Sequence, residues 1–256
     1  MSRILFQIKY AIENKIGRIV LESGPMNTLT TAFVTQMEEA LLKVEQNPPS
    51  VLVIHSASKH FCAGADLKER REMDNLQVKL FVDRLRKMTR RLFDIPCPSI
   101  CAVHGSALGG GLEIALASNI RVFQKDCKVG LPEVGLAIIP GALGTQMLTR
   151  LNYSLANEMI LTGKVITGQE AFNKGLCQFT SDNAKEEALL LAESMNKKGP
   201  IALRAAKIAI QDGYGQTIDD QVQIEEACYS QTISTFDRLE GLDAFIAKRK
   251  PIYKGE

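Results

Sequence analysis

The 256-residue chain has no tryptophan, only three histidines and no Cys-x-x-Cys pair. His55, His60 and His104 lack the i,i+4 spacing that would place two imidazoles on one helical face, which argues against a zinc site. The six cysteines (62, 97, 101, 127, 177 and 228) form no disulfide-like framework, so a reduced, cytoplasmic setting is expected. Only Cys97 and Cys101 are close, and they flank a segment that reads as a buried strand. Each cysteine is read as a packing residue. Charge of one sign is also lacking. Lys and Arg number 31 against 29 Asp and Glu, a net charge of +2 that excludes a chain-wide nucleic-acid surface. No apolar run approaches the ~20 residues that span a bilayer, so no membrane segment is expected. The first ten residues alternate polar and apolar, unlike a signal peptide or an arginine-rich transit helix, and the chain is expected to begin directly with its fold.

What is present describes a globular protein with a sizeable core. Hydrophobic residues make up 45% and charged residues 23%, with a mean hydropathy of -0.03. Strands are expected over 3–10 and 17–22, then a helix with Phe33, Met37, Ala40, Leu41 and Val44 on one face. Pro48-Pro49 ends it. Short buried strands follow at 51–54, 99–104 and 120–123, with a small-residue loop at 61–66 and a helix carrying Phe81, Leu85, Met88 and Leu92. The pattern is strand–strand–helix in modules of roughly 45–50 residues, without obvious sequence similarity between modules. After Pro140 helices dominate, at about 144–162, 168–174, 183–198, 200–212, 217–233 and 238–248. The chain divides into a core over 1–195 and a helical assembly region over 196–256, with no low-complexity linker between them.

Two glutamates in glycine-rich frames stand out. Glu113 ends Ala107-Leu-Gly-Gly-Gly-Leu-Glu113, and Glu133 sits in Gly130-Leu-Pro-Glu133 before an apolar run, Val134–Ile139. A glycine block between a strand and a helix bares backbone N–H groups where a helix carries partial positive charge, suited to an oxygen that becomes negative. Close helix–strand packing would use the same residues. Dinucleotide binding does not fit a plain triple glycine without a later acidic residue. The apolar run after Glu133 suggests a carboxylate held in a semi-buried pocket, and burial raises a carboxyl pKa towards acid–base use. In Phe61-Cys-Ala-Gly-Ala-Asp66 small residues allow close approach of a ligand to the backbone, or simply a tight turn.

Taken in order, these three motifs and Ile139-Pro-Gly-Ala-Leu-Gly-Thr-Gln146 resemble the enoyl-CoA hydratase/isomerase (crotonase) superfamily almost from end to end. The segments Ile224–Ile233 and Asp237–Phe245, with the terminal Lys-Arg-Lys-Pro-Ile-Tyr-Lys-Gly-Glu, look most like its methylglutaconyl-CoA hydratase branch. The resemblance implies an α/β fold, a spiral of ββα repeats with a helical C-terminal trimerisation region, assembled as a homotrimer or homohexamer. It implies Glu113 and Glu133 as catalytic carboxylates, and the N–H groups of Ala65 and Gly110 as an oxyanion hole. The loop from Ala63 through Ala65, Asp66, Leu67 and Lys68 would wrap CoA, and Lys248 would reach the CoA phosphates of a neighbouring subunit. The substrate would be an acyl-CoA thioester, with no metal and no redox cofactor.

Retention of both glutamates favours hydration of a 2-enoyl-CoA, short or branched; isomerisation of the double bond is the alternative. An RNA-binding role is known in the branch, but Thr35–Pro49 carries Glu38, Glu39 and Glu45 against Lys43, so no nucleic-acid partner is expected. An inactive scaffold is opposed by the intact glutamates. The chain departs from the family's usual pattern at Ser23–Leu29, which is short and weakly basic, so a CoA phosphate contact from that edge is not expected. It departs again at Leu143 and Met147, which replace a frequent glycine and arginine and are expected to narrow the acyl pocket.

Overall fold

The fold opens on a two-residue hairpin. β1 (Ile8–Glu13) and β2 (Ile16–Leu21) pair antiparallel around Asn14 and Lys15, whose φ angles of 52° and 64° suit the tight turn. The computed structural model describes residues 8–256, so the first part of the strand expected over 3–10 lies outside the described residues.

β3 (Val51–Ser56), β4 (Ser99–Val103), β6 (Ile120–Gln124) and β9 (Phe179–Ser181) extend β2 in parallel, giving a six-stranded sheet in the order β1-β2-β3-β4-β6-β9. β3 and β4 are buried throughout, which is why they read as unbroken apolar runs. A second sheet joins β5 (Ser106–Leu108), β7 (Lys128–Gly130) and β8 (Val165–Thr167). Isolated parallel bridges continue it, Cys62 to Ala107 and Leu29 to Ala65. Successive turns of chain add to one sheet, then the other, then a helix. This is the crotonase-like spiral that the resemblance implied.

Helix α1 (Thr31–Gln46) starts at Thr30, whose hydroxyl accepts from Phe33 N, and buries Phe33, Val34, Met37, Ala40, Leu41 and Val44. The short α2 (Leu67–Glu72) follows the small-residue loop. Helix α3 (Asn75–Asp94) begins with a capping box of Asp74 and Gln77 and packs on α1, where Arg84 pairs with Glu38 and Arg91 with Glu45. Two of the acidic residues that spoke against an RNA surface are thus engaged by α3. Helix α4 (Gly110–Ala117) is buried along nearly all its length.

The single helix expected over 144–162 is two, α5 (Gly144–Leu151) and α6 (Tyr153–Thr162). Asn152 leaves the helical region and caps α6, its side chain accepting from Leu155 N at 2.9 Å. Helix α7 (Gly168–Asn173) follows β8. Helix α8 (Ala184–Asn196) covers one face of the large sheet, with Ala184, Ala188 and Ala192 against Val51, Val53, Ile100, Ala102 and Val122. Helices α9 (Pro200–Gly213), α10 (Ile218–Ile233) and α11 (Phe236–Ile246) follow, and α9 and α10 pair closely. Their outer faces leave Ile210, Ile218, Phe236, Phe245 and Ile246 between 71% and 85% exposed. Among the described residues, no helix is long and apolar enough to cross a membrane.

Candidate active site

The glycine block turns β5 directly into α4. Gly109 has φ 52° and ψ -126°, a conformation that a residue with a Cβ resists, and donates its N–H to the carbonyl of Gly130 in β7 at 2.9 Å. A Cβ on Gly111 would lie 2.1 Å from the carbonyl oxygen of Cys62, so the first turn of α4 rests directly on the Phe61–Asp66 loop. Gly110 is the first helical residue. Its N–H has no acceptor within the helix, as first-turn donors do not, and no other partner among the described residues.

The loop is pinned from its other side. Leu29 donates to the Gly64 carbonyl at 2.9 Å and accepts from Asp66 N at 3.4 Å, forming the parallel bridge to Ala65. In such a bridge the intervening residue turns its own N–H the opposite way. The N–H of Ala65 therefore faces away from Leu29, without a partner among the described residues. A Cβ on Gly64 would stand 3.7 Å from the nitrogen of Gly110, which places the two free donors at one junction.

Glu113, one helical turn into α4, is 2% exposed. Its Oε1 accepts from Ala142 N at 2.8 Å and Gly144 N at 2.7 Å. Burial pushes its carboxyl up to about 7; the bond from Gly144 opposes this, and the charge of Glu133 adds to it. Leu143, between those two donors, has φ 78°, a left-handed conformation that glycine adopts freely and that costs a leucine on the order of 1 kcal/mol. Packing of its side chain against the core offsets that cost.

Glu133 opens a 3-10 turn, Glu133–Leu136. Its Oε1 stands 3.0 Å from the position that a Cβ on Gly109 would take, so it flanks the same glycine block as Glu113. Its Oε2 is buried without a hydrogen-bond partner among the described residues, and burial raises its pKa. The apolar run expected to shelter this carboxylate does not do so. Leu136, Ile138 and Ile139 are 48–69% exposed, because the short turn and the left-handed Ala137 keep the run at the surface.

The other sequence-derived residues divide. Ala63, Ala65 and Asp66 are half-buried, and Leu67 and Lys68, at the start of α2, are exposed. Asp66 caps α2: Oδ1 accepts from Lys68 N and Glu69 N, and Oδ2 from the Thr28 hydroxyl. Those bonds, the one from Glu69 foremost, hold its carboxyl below the usual range. Lys248 ends α11 in a left-handed turn and makes no described contact with the loop or either glutamate. Met147 lines a cleft with Phe93, Leu116, Leu151 and Lys207 beneath α9. Leu143 lines a surface hollow with Arg86 and Arg90. The donors Ala142 and Gly144 were missed by sequence reasoning, though the glycines of Pro140-Gly-Ala-Leu-Gly144 marked a segment that approaches something closely.

Residues 11–256 match the family described as Enoyl-CoA hydratase/isomerase. A probable enoyl-CoA hydratase 2, mitochondrial, from Arabidopsis thaliana is 44% identical over 90% of this chain and 78% of its own length. The mitochondrial methylglutaconyl-CoA hydratase of Mus musculus is 42% identical over 98% of this chain and 83% of its own. The crystal structure of an enoyl-CoA hydratase from Bacillus anthracis superposes with a TM-score of 0.94 at 39% identity, covering 98% of this chain and 100% of that one.

Proposed function

Since the chain belongs to the enoyl-CoA hydratase/isomerase family of enzymes, we propose that it adds water reversibly to a short or branched 2-enoyl-CoA thioester. The observation that carries this reading is the convergence of two pKa-raised carboxylates and two unpartnered N–H groups on one glycine block. In the reaction, the oxygen of water bonds to C3 and the π electrons move onto the thioester oxygen, giving an enolate. The N–H groups of Ala65 and Gly110 stabilise that oxygen, each worth ~3 kcal/mol. Glu113 takes the proton of the attacking water and Glu133 delivers a proton to C2. The pair's proton count is unchanged, and a proton returns from Glu113 to Glu133 before the next turnover.

The bare Oε2 of Glu133 supports its role as the donor, because no described residue hydrogen-bonds it. The backbone bonds to Oε1 of Glu113 support an orienting role, since they leave its other oxygen for water. No metal or redox cofactor is needed for this charge flow, and CoA enters as part of the substrate. The edge formed by half-buried Ala63 and exposed Leu67 and Lys68 is where the CoA moiety would lie. In our reading Asp66 shapes that loop through its cap, and Lys248 serves a neighbouring subunit.

The apolar outer faces of α9–α11 support a homotrimer or homohexamer. The six unpaired, buried cysteines support a reducing compartment. That fits the expected cytoplasm, although the two curated relatives above carry mitochondrial names. The test is a substrate panel comparing crotonyl-CoA with 3-methylglutaconyl-CoA, followed by loss of the conjugated thioester absorbance. Turnover of either supports hydration, and their ratio decides the acyl class. Binding of the CoA esters without any turnover would replace this reading with an inactive scaffold.

A further inference from the structure

The segment Met26–Leu29 lies outside every helix and named strand, yet each of its residues bonds the stretch that carries Ala65. The Met26 carbonyl accepts from Ala63 N at 2.9 Å. Asn27, fully buried and at φ 47°, donates to the Ser56 hydroxyl and to the carbonyls of His60 and Phe61 at 2.8–3.1 Å. The Thr28 hydroxyl donates to Asp66, and Leu29 brackets Ala65 through its backbone. Leu29 also does something its neighbours do not. Its Cδ1 lies 2.5 Å from where a Cβ on Gly110 would stand, so its side chain fills the space that this glycine leaves.

Ala65 and Gly110 each lie three residues beyond the Cys62 to Ala107 bridge, the last point at which their two chains are paired. Past it no backbone hydrogen bond among the described residues joins the loop to the helix; Gly64 still packs against Leu108 and Gly110, and Leu29 touches both sides, its backbone holding one and its side chain the other. An oxyanion hole works only if both donors come within about 2.7–3.1 Å of one oxygen. We infer that Leu29 is a positioning residue that sets the separation of the Ala65 and Gly110 N–H groups. This rests on the hydratase reading above.

Leu29→Val removes the methyl over Gly110 while keeping the backbone bridge, and Leu29→Met restores the reach. The expected result for the valine variant is a kcat about 10-fold lower with KM within about 2-fold, since CoA contacts are untouched and only donor placement changes. The methionine variant recovers to within about 2-fold of wild type. A bound conjugated probe, cinnamoyl-CoA, reads the hole directly, because hydrogen bonds to its carbonyl move its absorption to longer wavelength. That shift should shrink in Leu29→Val and return in Leu29→Met. If the valine variant fails to fold, Leu29→Ile, which keeps the volume but moves the branch, carries the same expectation. Wild-type kcat and an undiminished shift in the folded variant would overturn the inference alone. Wild-type protein that neither hydrates enoyl-CoA nor shifts the probe would overturn the inference together with the hydratase reading.

Discussion

Glu113 and Glu133 flank the same glycine block, and their surroundings are opposite in kind. Glu113 lies in a helix, 2% exposed, with one oxygen holding two backbone N–H groups. Glu133 lies on a short turn with one buried oxygen that bonds nothing. A carboxylate oxygen holding two donors is fixed in place, whereas one holding none is stabilised only by what binds beside it. In the proposed reaction the difference would suit one group to orient water and the other to exchange a proton with carbon.

The comparison breaks most severely if either carboxylate is neutralised. Glu113→Gln and Glu133→Gln should each lower the hydration rate roughly 100- to 10,000-fold, measured as kcat on the preferred enoyl-CoA. A near-normal rate in either would end the two-carboxylate mechanism.

A subtler test displaces one glutamate without touching it. A Cβ on Gly144 would stand 2.8 Å from Oε1 and 2.9 Å from Cγ of Glu113, whereas one on Gly135, within the Glu133 turn, meets nothing within 4 Å. Gly144→Ala should cost about 10- to 100-fold in kcat. Gly135→Ala should leave kcat within about 2-fold, since a Cβ there would meet no neighbour.

Stability sharpens the same contrast. The Glu113 carboxyl rises from 4.5 unfolded to about 7 folded, so across that window the folded state binds more protons and stability falls as pH rises. Glu113→Gln removes that cost. It should unfold with a free energy on the order of 3 kcal/mol higher than wild type at pH 8, with the gain gone by pH 4. Glu133→Gln should shift stability in the same direction, and a loss of stability at pH 8 in either would contradict burial as the cause. The smallest effect concerns Arg86, whose charge lowers the pKa of Glu113. In Arg86→Gln the acid limb of the pH profile of kcat/KM should move to higher pH, and an unmoved limb would remove Arg86 from the site's electrostatics.

Much of this site was legible in the chain. The triple glycine between an expected strand and an expected helix marked a place of close backbone approach, because glycine has no side chain to keep a neighbour away. The two glutamates drew notice through the same glycine frames. What escaped was built from backbone. Ala142 and Gly144 act through N–H groups that every residue possesses, so nothing in their identity marks them as partners of Glu113. The three-residue strands β5, β7, β8 and β9 are too short for a period to show. Asn152 looked like helix interior because one extended residue between two helices hardly interrupts the apolar pattern, and its capping bond to Leu155 shows only in the fold. The Val134–Ile139 run was read as shelter for Glu133 because apolar residues usually go inside, and the 3-10 turn left it outside.

The chain by itself determined the ββα order, the family and the glycine frames of the two candidate carboxylates, because periodicity, glycine placement and residue chemistry are local properties. The tertiary structure alone decided which carboxylate is held and which is bare, and which of many free N–H groups share a junction. Those depend on chains that meet across the second sheet, where Leu29, Ala65 and Gly110 come together although far apart in sequence. Residue identity cannot encode such distances; only packing sets them.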